Sequence, residues 1–298
     1  MLLLNLLLKI LTIISPIFIF MVMGWAYAAW RNPDLSVLNR LTVDVLAPML
    51  IVSSLLRKTI PFAEYKVLLI GALCVVLGSG VVAYAVVRWL HQDYRTWLPP
   101  MMFNNSAYMG TPVILLMFGE RYVPVAVALF IVSNMLHFTL GLKLLQPQAS
   151  LLKVSVNPMT ISMIFAIVGA IYHVQLPEPV MQVIDMGGKA VIPLMLFALG
   201  VTLYRTKLAS LRDGLLGGLL CPIAGILVAE VFCWWMPLPP LQRMMLFSFA
   251  ALPPALMNYM LAQVYDQAPN KVAAIVLVGH WVSIIMMPVG VWLGGYRG

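Results

Sequence analysis

Apolar runs of about twenty residues follow one another along this 298-residue chain, from Leu8 to Trp292. Only short polar turns such as RNPDL, GERYV and QLPEP separate them. Each run is long enough to span a bilayer as a helix. The expected fold class is therefore an all-α polytopic membrane protein. Composition agrees, with 62% apolar and 9% charged residues, against about 25% charged in a soluble domain. The net charge of +8 is scattered one to three basic residues per turn, as topology signals are, so no nucleic-acid partner is expected. The cysteines Cys74, Cys221 and Cys233 fall in apolar runs without CxxC spacing, which excludes a disulfide framework or zinc site and implies no cofactor or metal. The first run continues past Trp30. That exceeds the core of a signal peptide, so it reads as a retained span.

Ten spans are expected, at about Leu8–Trp30, Val37–Leu56, Val67–Leu90, Trp97–Phe118, Pro124–Leu145, Pro158–Val174, Val180–Tyr204, Leu215–Trp235, Leu241–Tyr265 and Val272–Trp292. The dipeptide Asn157-Pro158 marks the start of the sixth. Loops after odd-numbered spans hold Arg31, Arg40, Arg88, Arg95, Lys143, Lys153, Arg205, Lys207, Arg212 and Lys271. The other side holds Lys9, Arg57, Lys58, Lys66, Arg121, Arg243 and Arg297. Ten against seven favours both termini outside the cytoplasm.

One span departs from lipid-facing composition. Phe103–Glu120, FNNSAYMGTPVILLMFGE, carries two adjacent amides, a serine, Gly110 and Pro112. Proline removes a backbone donor and clashes with the carbonyl one turn back, so Pro112 is expected to break the helix. Freed backbone at membrane depth must be buried in protein or line a cavity.

The chain also repeats itself. VLAPMLIVSSL (Val45–Leu55) matches VIPLMLFALGVTL (Val191–Leu203) at an offset of 145, and Cys74 and Gly78 fall on Cys221 and Gly225 at 147. Ala126–Asn134 falls on Val272–His280 at 146. A near-constant offset of half the length implies two five-span repeats, 1–145 and 157–298, joined by a connector at 146–156. Five is odd, so the second repeat is inverted. Broken span four then pairs with span nine, which carries Pro253, Pro254 and Asn258. Two discontinuous helices of opposite direction would cross near the midplane, with positive half-helix N-termini suited to an anion and amides to orient it.

NSAYMGTP (Asn105–Pro112), the GE turn after it, IPLMLFALGVTL (Ile192–Leu203) and LPPALMNYMLAQVYD (Leu252–Asp266) resemble the auxin efflux carrier family, the PIN-like transporters and their short bacterial relatives. With the ten-span layout, the resemblance covers nearly the whole chain. It implies an elevator-type carrier in an inner or plasma membrane. Spans one, two, six and seven would form a scaffold, with homodimerisation through it. Spans three to five and eight to ten would form the transport unit. It implies substrate contacts at Asn105, with Asn104 beside it, at Asn134 and at Asn258; Ser106 lies in the same stretch. The long loop of the plant carriers is absent, and the short relatives are associated with small organic anions such as dicarboxylates.

Other polar residues carry expectations of their own. Arg40–Asp44 and Asp185–Lys189 are i,i+4 pairs of reversed order in the two repeats, read as structural ion pairs. The alternative places Asp44 or Lys189 on the substrate path. Glu230 reads as an end-of-span residue reaching the interface. His280, the repeat partner of Asn134, is a candidate to bind the anion or carry a coupling proton, and His137 is a second. No GxxxxGK[ST] loop implies ATP as the driver, and no paired carboxylates, Ser/His or HExxH array implies an enzyme. The expected function is secondary transport of a small organic anion. Rival readings are a sodium-coupled bile-acid-type symporter and a non-transporting membrane sensor. Asn105→Ala is expected to abolish binding and leave the fold assembled.

Overall fold

The computed structural model describes residues 2–57, 62–148, 158–206 and 210–296. Residues 149–156 of the connector, with Lys153, and Asn157 at the start of the second repeat lie outside them, as do Lys58, Lys207 and Arg297 of the charge distribution.

Every regular element among the described residues is helical. α1 is Leu2–Arg31. α2 (Ser36–Leu41) passes through a π-helical turn, Thr42–Leu46, into α3 (Ala47–Leu56). α4 is Phe62–Trp89. α5 (Tyr94–Met102) stops, and a π-helical turn at Ser106–Gly110 leads into α6 (Thr111–Phe118). α7 (Val123–Leu136) continues through a π-helical turn at His137–Gly141 into α8 (Leu142–Leu145). α9 is Pro158–Ile171, α10 Glu178–Arg205 and α11 Leu211–Trp235. α12 (Pro240–Ala250) and α13 (Leu256–Val264) are separated by an extended stretch, and α14 is Pro269–Leu293.

Seven helical stretches among the described residues are long and apolar enough to cross a membrane. The expected fourth, sixth and ninth spans are not among them. Ser106–Phe118 and Pro158–Ile171 are shorter apolar helices, and the ninth is divided into α12 and α13. The chain is an integral membrane protein of apolar helices.

The breaks have local causes, and one differs from expectation. Pro112 does not sit at the break. It lies in the first turn of α6, a position where a missing N–H costs nothing. Its clash with the carbonyl one turn back is absorbed by the π-helical turn before it, in which Met109 N–H and Gly110 N–H both donate to Asn105 O at 3.1 Å. The chain leaves helical geometry earlier, at Phe103–Asn105. Pro48 stands in the same relation to the turn at Thr42–Leu46. Pro253 and Pro254, by contrast, lie within the second break itself.

Packing is heaviest within two sets of helices, which contacts of α1 with α14 and α6 and of α3 with α7 also join. α1 packs on α10, and α3 packs on both α9 and α10. α4 packs on α5, α7 and α11, while α14 gathers α11, α12 and α13. The expected i,i+4 ion pair in α10 is replaced by contacts between elements. Arg57 at the end of α3 pairs with Asp185 and with Glu178 (2.9 Å), and Lys189 lies 3.8 Å from Glu120. Side chains four apart on a helix gain only a few tenths of a kcal/mol from pairing, so a better-placed partner on a neighbouring helix readily takes over. Arg40 and Asp44 are exposed along a surface recess beside Ser36. Glu230 pairs with Arg243 at 2.7 Å, joining the end of α11 to the start of α12.

Candidate functional site

The two broken helices meet at their breaks. Asn104 and Pro254 form an antiparallel bridge. Asn105 N–H donates to Pro253 O at 2.7 Å, and Ala255 N–H donates to Phe103 O at 2.9 Å. Each break thus satisfies backbone groups that the other leaves open, which a dry interior requires. Close approach is permitted by Gly279 on α14, where a Cβ would lie 2.6 Å from Pro254 Cδ.

Side-chain amides lock the crossing. Asn104 Nδ2 donates to Phe249 O at 2.7 Å. Asn258 Nδ2 donates to Phe103 O and to Ala255 O, both at 3.0 Å. Asn105 serves both sides of its amide: Oδ1 accepts from Tyr108 N–H (3.3 Å), capping the half-helix, and Nδ2 reaches His280 Nε2 at 2.9 Å. His280 Nδ1 lies 2.7 Å from Val276 O. A carbonyl only accepts, so Nδ1 carries the proton and Nε2 accepts from Asn105. His280 is wholly buried with both ring nitrogens engaged.

A cavity of about 40 Å³ lies on the other side of the amides. Asn104, Asn105, Ser106, Tyr108, Ser133, Asn134 and His137 supply its polar side chains. Val43, Met159 and Met195, from the other helix group, face them. Asn134 Nδ2 has only the weak sulfur acceptors of Met159 and Met163, each at 3.8 Å. Asn104 Oδ1, Asn258 Oδ1 and His137 Nε2 are buried without a partner among the described residues. The first-turn N–H groups of Ala107, Leu256 and Met257 find no acceptor among the described residues, and all three residues line the cavity. These are the orphan donors of helix N-termini, where partial positive charge collects. No charged side chain lines the cavity.

A family model described as membrane transport protein matches residues 9–155 and 147–291. The chain belongs to this family. It is the family of the PIN-like auxin efflux carriers, so the resemblance carried by NSAYMGTP and LPPALMNYMLAQVYD holds, and the chain is a membrane transporter by family. No curated protein matches the chain.

Within this family member, the sequence-expected residues divide into four sets. Asn104, Asn105, Ser106, Asn134 and His137 share the cavity, with Asn258 at its edge holding the crossing together. His280 stands behind Asn105 and does not line the cavity. Gly110 lines a much smaller neighbouring void with Ser106 and Ser248. Asp44 and Lys189 do not line the cavity. Lys189 instead lines a separate cavity of about 570 Å³ with Arg57, Glu120 and Asp185. Sequence reasoning missed Ser133, Phe103 and the methionines opposite the amides. Ser133 adjoins Asn134 and was legible as a neighbour, whereas methionines of an apolar span carry no signal.

Proposed function

We propose that the protein is a secondary transporter of small organic anions, of the dicarboxylate or auxin-like carboxylate kind, working by alternating access. One observation carries this reading. Two half-helix N-termini present unaccepted N–H groups to one cavity that holds amides and no charged side chain. Such donors suit a carboxylate and reject a cation. Ten spans in two inverted repeats are part of the proposal. The antiparallel bridge at the crossing supports it, as does the reciprocal packing of α1 on α10 and of α9 on α3.

The cavity, at about 40 Å³, has room for water rather than a ligand. Substrate access requires Val43, Met159 and Met195 to draw away from the amides. Those residues belong to helices that pack together as one group, while the amides Asn104, Asn105 and Asn258 belong to the other. Sliding of one group past the other is the elevator motion, with α1, α2–α3, α9 and α10 as the scaffold, through which two copies would pair. The cavity around Arg57 and Lys189 is the approach on one face, where Asp185 and Glu120 offset its two cations.

Uptake of labelled malonate and malate by liposomes holding the full chain tests this, with proton and sodium gradients imposed in turn. Accumulation above empty liposomes is expected. Binding without flux would instead mark a sensor. The unpaired oxygens of Asn104 and Asn258 favour sodium coupling as a second reading, and uptake driven only by sodium would establish it.

A further inference from the structure

Charge at the crossing does not balance for every anion. Each half-helix N-terminus carries about half a positive charge, so two supply about one. A monocarboxylate is compensated, but the second charge of a dicarboxylate needs another cation. None lines the cavity, whose titratable side chains are Tyr108 and His137. Among the described residues, the elements packed around His137 place none beside it either, and Arg95 of α5 lines a separate recess with Gln146 and Asp266. α7 and α9 carry no ionisable residue. Lys143 of α8 turns to Pro147 O at 2.9 Å. Asp44 beside Val43 is exposed, the α10 charges Asp185 and Lys189 lie in the other cavity, and the ionisable side chain of α13, Tyr259, is bonded to Gln263 at 2.8 Å.

His137 is built into this position. It opens a π-helical turn, a feature frequent at functional sites. Its ring stacks on Phe103 with centroids 4.3 Å apart and planes 7° from parallel. Gly141 leaves room for the stack, since a Cβ there would lie 2.9 Å from both rings. The stack fixes the ring against the break whose carbonyl holds Asn258. Asn258 Nδ2 is committed to two carbonyls, which leaves Oδ1 open. His137 Nε2 is equally open. A protonated ring has an N–H at Nε2 to donate to the second carboxylate.

We propose that His137 takes up a proton when a dicarboxylate binds, so that the carrier moves one proton with each dianion. This inference rests on the anion-carrier reading. The proton comes from water on the loading side, forms an N–H bond on the imidazole, and returns to water on release. His280 cannot serve, because both of its nitrogens are engaged, Nε2 by Asn105 across the crossing and Nδ1 by Val276 O in its own helix.

Calorimetric titration of the detergent-solubilised full chain with malonate, in buffers of different ionisation enthalpy, counts the protons directly. Between about pH 5.5 and 8.5, the range of histidine, uptake should rise towards about one proton per malonate. Affinity should then fall about tenfold per pH unit at the alkaline end. Propionate, a monocarboxylate, should bind without proton uptake. His137→Gln should lose proton uptake and the pH slope, whereas a purely structural role would weaken binding equally at every pH. The wild-type measurement stands even if that variant fails to fold. Malonate binding without proton uptake, or uptake that persists in His137→Gln, would overturn the inference and leave the carrier reading intact. Absence of binding by both anions at every pH would overturn both.

Discussion

Replacing Asn105 by alanine removes two contacts that meet in one amide. Loss of the cap on Tyr108 N–H (3.3 Å) costs about 1 kcal/mol. His280 Nε2, wholly buried and held at 2.9 Å, is left without its donor, at a cost of about 1–3 kcal/mol. The backbone bond from Asn105 N–H to Pro253 O is untouched by the change. The variant should therefore lose about 2–4 kcal/mol of stability. It should be weakened in fold as well as in binding, contrary to what the sequence alone suggests. His280→Leu leaves Asn105 Nδ2 unpaired in the same way, so a double-mutant cycle should show coupling of about 1–2 kcal/mol. Unfolding of the purified chain by SDS in mixed micelles measures all four corners. A loss below about 0.5 kcal/mol for Asn105→Ala, or strictly additive costs, would refute the locking role given to this pair.

Other consequences are checked as directly. Gly279→Val sets side-chain atoms where Pro254 Cδ now lies, 2.6 Å from a Cβ. It should cost about 1–3 kcal/mol by overpacking and abolish uptake, while Gly279→Ala should fall between it and the wild type. In the turn before α2, Asp34 accepts from Ser36 N–H and Ser36 Oγ–H, each at 2.9 Å. The backbone bond foremost, then the hydroxyl, hold its carboxyl below the ordinary range. A lowered folded value means stability that is present above the unfolded carboxylate range, near pH 4, and lost as pH falls through the folded value. The melting difference between wild type and Asp34→Ala should be constant above about pH 5 and shrink in acid.

The sequence was informative where physics is local and silent where it depends on distant partners. Prolines and adjacent amides in an apolar run marked both irregular segments, because lipid tolerates neither without a reason. The location of the first break was not legible from Pro112. A π-helical turn absorbs that proline, and the helix parts at Phe103–Asn105, where the extended stretch at Pro253–Ala255 supplies bonds. Pairing of Asp185 with Arg57 rather than Lys189 was equally hidden, since it depends on how α3 packs against α10. His280 and His137 looked similar as isolated histidines in apolar runs. Only the packing separates them, one with both nitrogens bonded and one with an open nitrogen at the cavity.

The central claim is that half-helix N–H groups hold the anion, and Leu256 permits a direct test. It is the first residue of α13, its N–H has no acceptor among the described residues, and Ala255 before it is extended at φ −64°, ψ 140°. Proline is tolerated at the first helical position and favours an extended residue before it. Leu256→Pro thus deletes one donor at the cavity while keeping the helix, and Leu256→Ala controls for the lost side chain. A hydrogen bond to a charged acceptor contributes about 1.5–3 kcal/mol. Malonate should therefore bind the proline variant about 10- to 150-fold more weakly than the alanine variant. Equal affinity in the two variants would contradict the claim.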